Sequence, residues 1–138
     1  MHTRIVLGYL GLLPFVILTI SNWVLGEDYK DISFQLLVIY GGIIISFLSG
    51  IIWGINSLNK KNLYISIGFS LLGYLAILVA FSNLVFSMCL LLILFFLFYI
   101  YESKINPLFL NTSYMSLRKN LTFGVCACYL LSIVIAIN

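Results

Sequence analysis

The sequence predicts an all-α integral membrane protein: five transmembrane helices in one bundle, with the N-terminus inside and the C-terminus outside. Three observations predict it. Of 138 residues, 63% are hydrophobic and only 8% charged, whereas soluble domains run at about 45–50% apolar and about 25% charged. The few charges gather in short breaks between long apolar runs instead of being spread along the chain. One of those runs also carries small residues at a fixed four-residue interval, a pattern that lets helices approach closely in lipid. Residues 1–138 thus form a single transmembrane domain, and no stretch is polar enough for a separate soluble unit.

The first apolar run, about residues 5–25, can cross a hydrocarbon core of about 30 Å at about 1.5 Å per residue. Arg4 precedes it as in a signal peptide. Signal h-regions, however, span only about 7–15 residues, and Ser21-Asn22-Trp23 offers no small-x-small cleavage site. It reads as a retained helix. Pro14 is expected to kink it unless a neighbour satisfies the freed carbonyl, and Gly8 and Gly11 offer a face for close contact.

Residues 27–31, EDYKD, make the first polar break. Asp31 or Ser33 is expected to cap a second helix over about 32–58. Glu27, Asp28 and Asp31 read as solvated loop carboxylates in preference to a cation site. Within this helix lies YGGIIISFLSGIIWGIN, residues 40–56, where Gly42, Ser46, Gly50 and Gly54 recur every four residues. Four-residue steps advance only about 40° around a helix, so these positions form one slowly drifting groove, with Ser49 and Trp53 beside it. That helix is expected to be central and gripped by its neighbours.

Residues 63–101 contain no charge. As one helix they would span roughly 58 Å, about twice the bilayer core, so the run must fold back. Ser82-Asn83 is the expected turn, giving helices over about 62–81 and 84–101. Residues 102–119 then read as the longest polar connection, with an amphipathic surface piece around residues 107–117 or an irregular loop as equal alternatives. A fifth helix over about 121–137 ends the chain.

Orientation follows from Lys and Arg. With five crossings, Arg4, Lys60, Lys61, Lys104, Arg118 and Lys119 fall on one side and only Lys30 on the other. The basic side is the inner one, in a bacterial cytoplasmic membrane; a mitochondrial inner membrane fits less well, because no basic amphipathic presequence precedes Ile5. Trp23 and Tyr29 then mark the outer interface, and Trp53, Tyr64, Tyr99 and Tyr101 the inner one. The sequons at Asn111 and Asn120 fall on the inner side and carry no meaning there.

For function, the informative feature is an absence. No Asp, Glu, Lys, Arg or His falls inside the five expected spans, whereas proton relays and ion-coupled carriers depend on such groups. No base stands near Ser46 or Ser49 to activate a serine, and no metal-ligand spacing occurs. The Cys126–Cys128 pair points its thiols apart on a helix. The net charge of +3 sits at run ends and does not signal nucleic-acid binding. Neither a catalytic, nor a cofactor, nor a metal site is expected. The hydroxyls at depth, including Tyr40, Ser46, Ser49, Ser66, Ser70, Tyr129 and Ser132, are expected to bond across helices. Lys60, Lys61, Lys104, Arg118 and Lys119 set topology and offer contacts to anionic lipid.

Three stretches resemble the transmembrane protein 69 family, an integral membrane domain of bacteria and mitochondria without assigned function. Gly11-Leu12-Leu13-Pro14-Phe15 is similar to its LGLLPF signature. Tyr40-Gly41 with residues 46–54, SFLSGIIWG, is similar to its Y-G…S-F-L-G-G-x-[HR]-W-G core, with Ile52 where members often carry His or Arg. Tyr114, Leu117-Arg118 and Leu121-Thr122 are similar to its Y…L-R…L-T ending. The resemblance implies architecture and no reaction.

The leading expectation is a non-enzymatic membrane protein acting through helix or lipid contacts as an assembly or interaction partner, with a membrane protein or a second copy of itself. The alternative is a passive channel or carrier for a small solute, with Tyr40, Ser46, Ser49 and Asn56 lining a polar path. A third reading, a lipid-modifying enzyme, would use Glu102, Arg118 and His2 at the inner face.

Overall fold

The computed structural model describes residues 2–24, 26–55 and 60–137. They form five long α-helices, α1 (His2–Val24), α2 (Glu27–Ile55), α3 (Lys60–Val79), α4 (Leu84–Ile105) and α5 (Thr112–Ile137), with a single 3-10 turn at Pro107–Leu110 before the last. No strand occurs among the described residues, and all five helices are long and apolar enough to cross a membrane. The return between α3 and α4 lies at Ser82-Asn83, where Asn83 caps α4 by accepting from the Phe86 N–H at 3.0 Å.

Several boundaries differ from expectation, those at the starts of α2 and α5 the most. α2 starts at Glu27, so Asp31 and Ser33 lie inside the helix and cap nothing; acidic residues suit the positive end of a helix and extend it backwards. The expected end of α2 falls in residues 56–59, which with Asn56 lie outside the described residues. α3 starts at Lys60, and α4 continues past Tyr101 to Ile105. The largest difference is at α5, which begins at Thr112, not about 121. The expected polar connection shrinks to Asn106–Asn111, because Glu102 and Arg118 both sit within helices and neutralise one another.

Pro14 lies inside α1 without ending it. The Tyr40 hydroxyl donates to the carbonyl of Gly11, three residues before the proline, at 2.8 Å. That bond ties α2 to α1 within a turn of the proline, one residue after Leu10, whose carbonyl is the one that the missing N–H leaves free.

α1 lies against α2 and α5, α3 lies against α2 and α4, and α2 also meets α4. Phe15 is the meeting point of four helices. Its ring stacks edge-on against Tyr40 of α2 (4.8 Å between centroids), Phe95 of α4 (6.0 Å) and Tyr129 of α5 (5.9 Å). Tyr129 is fully buried and donates to the Leu37 carbonyl at 2.9 Å. Glycine is required at position 41, because a Cβ there would collide with the Tyr129 hydroxyl.

Candidate functional site

The most polar buried cluster joins the end of α4 to the start of α5. Glu102 and Arg118 are 16 residues apart, and the 3-10 turn at Pro107–Leu110 folds the chain back so that they meet. The Arg118 Nε donates to Glu102 Oε1 at 2.7 Å, with Glu102 wholly buried and Arg118 only 6% exposed. The second carboxylate oxygen accepts from the Tyr114 hydroxyl at 3.1 Å and from Asn106 Nδ2 at 3.3 Å. Asn106 also caps the turn, its Oδ1 accepting from the Leu108 N–H at 3.0 Å. Charge and hydrogen bonding are thus satisfied together, the condition under which a buried pair is tolerated. Arg118 lies over the Phe98 ring, and exposed Arg4 lies over the Tyr114 ring, both at 5.9 Å from the centroid. The first helix therefore adds a second guanidinium to the cluster.

Arg118 is accordingly no surface lipid contact of the expected kind, and the spans are not free of ionisable groups. Lys60, Lys61, Lys104 and Lys119 are exposed as expected. His2 is also exposed, at the start of α1, and is not a partner of Glu102 or Arg118.

Beside the cluster, a fissure separates α1, α2 and α5. Its inner chamber, about 150 Å³, is walled by apolar side chains such as Leu12, Phe15, Ile44 and Phe95. The outer chamber, about 610 Å³, has Arg4, Tyr114 and Arg118 at its end. Leu7, Gly8, Phe47, Leu48, Arg118 and Leu121 border both. Thr122 lies in the wall of the inner chamber.

The small-residue positions of α2 divide into two sets. Gly42, Ser46 and Ser49 face α3 in antiparallel register. A Cβ on Gly42 would collide with Ile77 and sit 3.1 Å from the Gly73 carbonyl oxygen. The Ser70 hydroxyl reaches the Ser46 hydroxyl at 3.4 Å, and the Ser66 hydroxyl donates to the Ser49 carbonyl at 2.6 Å. Ser49 in turn donates to the Ser46 carbonyl at 2.7 Å. Gly50 and Gly54 do not continue this seam; both are exposed with open space where a Cβ would stand, and Trp53 is half-exposed. The reason is the drift itself: twelve residues at about 100° each rotate Gly54 about 120° away from Gly42. Ile52, between them, is fully buried in the core. Gly42→Leu is therefore expected to destabilise the protein by about 1–3 kcal/mol through overpacking. Gly50→Leu should stay within about 0.5 kcal/mol of wild type. Denaturant titration in detergent, followed by circular dichroism, measures both.

The expected polar path is not assembled. Tyr40, Ser46 and Ser49 each bond a neighbouring helix or their own backbone. Sequence reasoning placed Glu102 outside the membrane helices, and it overlooked Asn22. Asn22 is fully buried on α1 with neither amide atom bonded, as is the Ser132 hydroxyl of α5. The spacing of Tyr114, Arg118 and Thr122, four residues apart and so on one helix face, was the available signal for the site.

No curated protein and no solved structure matches the chain. A family model does match, over residues 2–134, nearly the full length and all five helices. The chain belongs to the family described as protein of unknown function DUF3429.

Proposed function

We propose that this is a multi-pass membrane protein that acts without chemistry of its own, through helix and lipid contacts, as an assembly or interaction partner. One observation carries the reading: the only charged groups buried among the described residues, Glu102 and Arg118, are paired with each other. A carboxylate held by an arginine, a tyrosine and an asparagine supports a structural role, joining α4 to α5. The hydroxyls of Tyr40, Ser46, Ser66, Ser70 and Ser87 likewise hold helices together.

Position of the basic residues supports an inner location for the α1 N-terminus in a bacterial cytoplasmic membrane. The stretches resembling the transmembrane protein 69 family also converge: Gly11 and Phe15, Phe47 and Leu48, and Arg118 and Leu121 all border the one fissure. It is the resemblance of those stretches that supports a further proposal, that the chain is related to that family.

Native mass spectrometry of the full chain released from membranes in mild detergent tests the reading. A second copy, a partner membrane protein or retained lipid is the expected result. A bare monomer from native membranes, together with solute flux through reconstituted vesicles, would replace it with the channel reading. For orientation, Lys60→Cys and Lys119→Cys should stay shielded from an impermeant thiol reagent in intact cells, while Lys30→Cys reacts. Labelling of Lys119→Cys from outside overturns it.

A further inference from the structure

The fissure between α1, α2 and α5 combines two features that the fold alone does not require. Its depth is apolar: the inner chamber of about 150 Å³ holds no polar wall group except Arg118 and Thr122 at its margin. Open on one side and walled almost wholly by apolar side chains, it suits an apolar guest. Its end carries one net positive charge, that of Arg4, since Glu102 offsets Arg118. Arg4 and Arg118 border the outer chamber, and among the described residues no carboxylate lines either chamber. Glu102 engages Arg118 only through Nε, and no further hydrogen bond holds that guanidinium among the described residues. The remaining edge of the guanidinium is available to an oxyanion, which such a planar fork binds well.

The opening completes the description. Leu7 and Phe47 flank it, 61% and 72% exposed, so the fissure is reached from the side of the helices where acyl chains lie. Gly11 on the α1 wall keeps it open, with only open space where a Cβ would stand. An apolar slot entered from the lipid side, with two guanidiniums where the helices begin, complements an amphiphile with one anionic head.

We propose that the fissure is a binding site for one anionic phospholipid, with an acyl chain in the apolar chambers and the phosphodiester between Arg4 and Arg118. The proposal rests on the membrane-contact reading above and names its partner. Arg118 is the better placed of the two, because the Glu102 bond holds it rigid and its loss of side-chain freedom is already met in the unoccupied fold. Arg4 is exposed and closes over the head from the first turn of α1.

The test uses the full chain reconstituted in vesicles of equimolar phosphatidylglycerol and phosphatidylcholine, extracted in mild detergent, with co-purifying lipid quantified by mass spectrometry. The expected result is about one phosphatidylglycerol retained per chain and selection over phosphatidylcholine. Arg4→Gln should lower that selection roughly fivefold, the effect of one basic residue at an anionic surface. Gly11→Leu should abolish retention by filling the inner chamber while helix content and monodispersity stay unchanged. Lys30→Gln, at the other end of the helices, should change nothing. Equal retention of both lipids, a fatty acid in place of phospholipid, or undiminished retention by Gly11→Leu overturns the proposal. A chain that enters vesicles, folds and keeps no lipid sinks this inference alone; one that never enters the bilayer sinks the membrane reading beneath it.

Discussion

Glu102→Gln is expected to destabilise the protein by about 3–5 kcal/mol, although it changes one atom and keeps the shape of the side chain. The amide leaves Arg118 buried without a counter-charge, 6% exposed and with its Nε bond directed at a neutral group. Arg118→Met should cost a similar amount for the opposite reason, stranding a carboxylate that then relies on Tyr114 and Asn106 alone. The informative variant is the double, Glu102→Leu with Arg118→Met, which removes both charges. It should cost less than either single change, since apolar replacement of a buried pair is often neutral or favourable. SDS titration of the purified protein measures all three, and the sign of the coupling between the two sites is the readout. Additive losses would mean that the two side chains do not interact as a pair.

Phe15→Ala is expected to produce a loss of comparable size, about 3–5 kcal/mol. The ring is 1% exposed and touches aromatic rings from α2, α4 and α5. In lipid, burial from water contributes little, so the loss comes from packing contacts and from the cavity left behind. Each edge-on ring pair adds about 0.5–1.5 kcal/mol beyond simple contact. Phe15→Leu should recover part of the loss by refilling volume without restoring ring geometry. An alanine variant as resistant to SDS as wild type would show that the four helices are held elsewhere. The same measurement on Tyr40→Phe separates ring packing from the bond to Gly11, for which about 1 kcal/mol is expected.

Helix number and the α3–α4 turn were legible because they follow from length against bilayer thickness, a constraint that local sequence obeys. The α2–α3 seam was legible at Gly42, Ser46 and Ser49 for a related reason: small residues at helical spacing make a surface before any partner is known. Gly50 and Gly54 satisfied the same pattern and face outward, because spacing gives a direction on a helix and not the extent of its neighbour. The start of α5 was hidden by reading Arg118 as a mark of the membrane surface. Charge marks a surface only when unpaired, and its partner is contributed by a different helix. The fissure was illegible altogether. It is a gap left by the relative placement of three helices, and no single stretch of sequence encodes a gap.

The Glu102–Arg118 bond also bears on how the chain reaches its place during synthesis. The carboxylate emerges first, on a helix that is otherwise the most apolar of the five, and its counter-ion follows only after the turn at Pro107–Leu110. Neither α4 nor α5 is electrically complete on leaving the ribosome. Each helix is therefore expected to gain its counter-charge only when the ends of α4 and α5 dock.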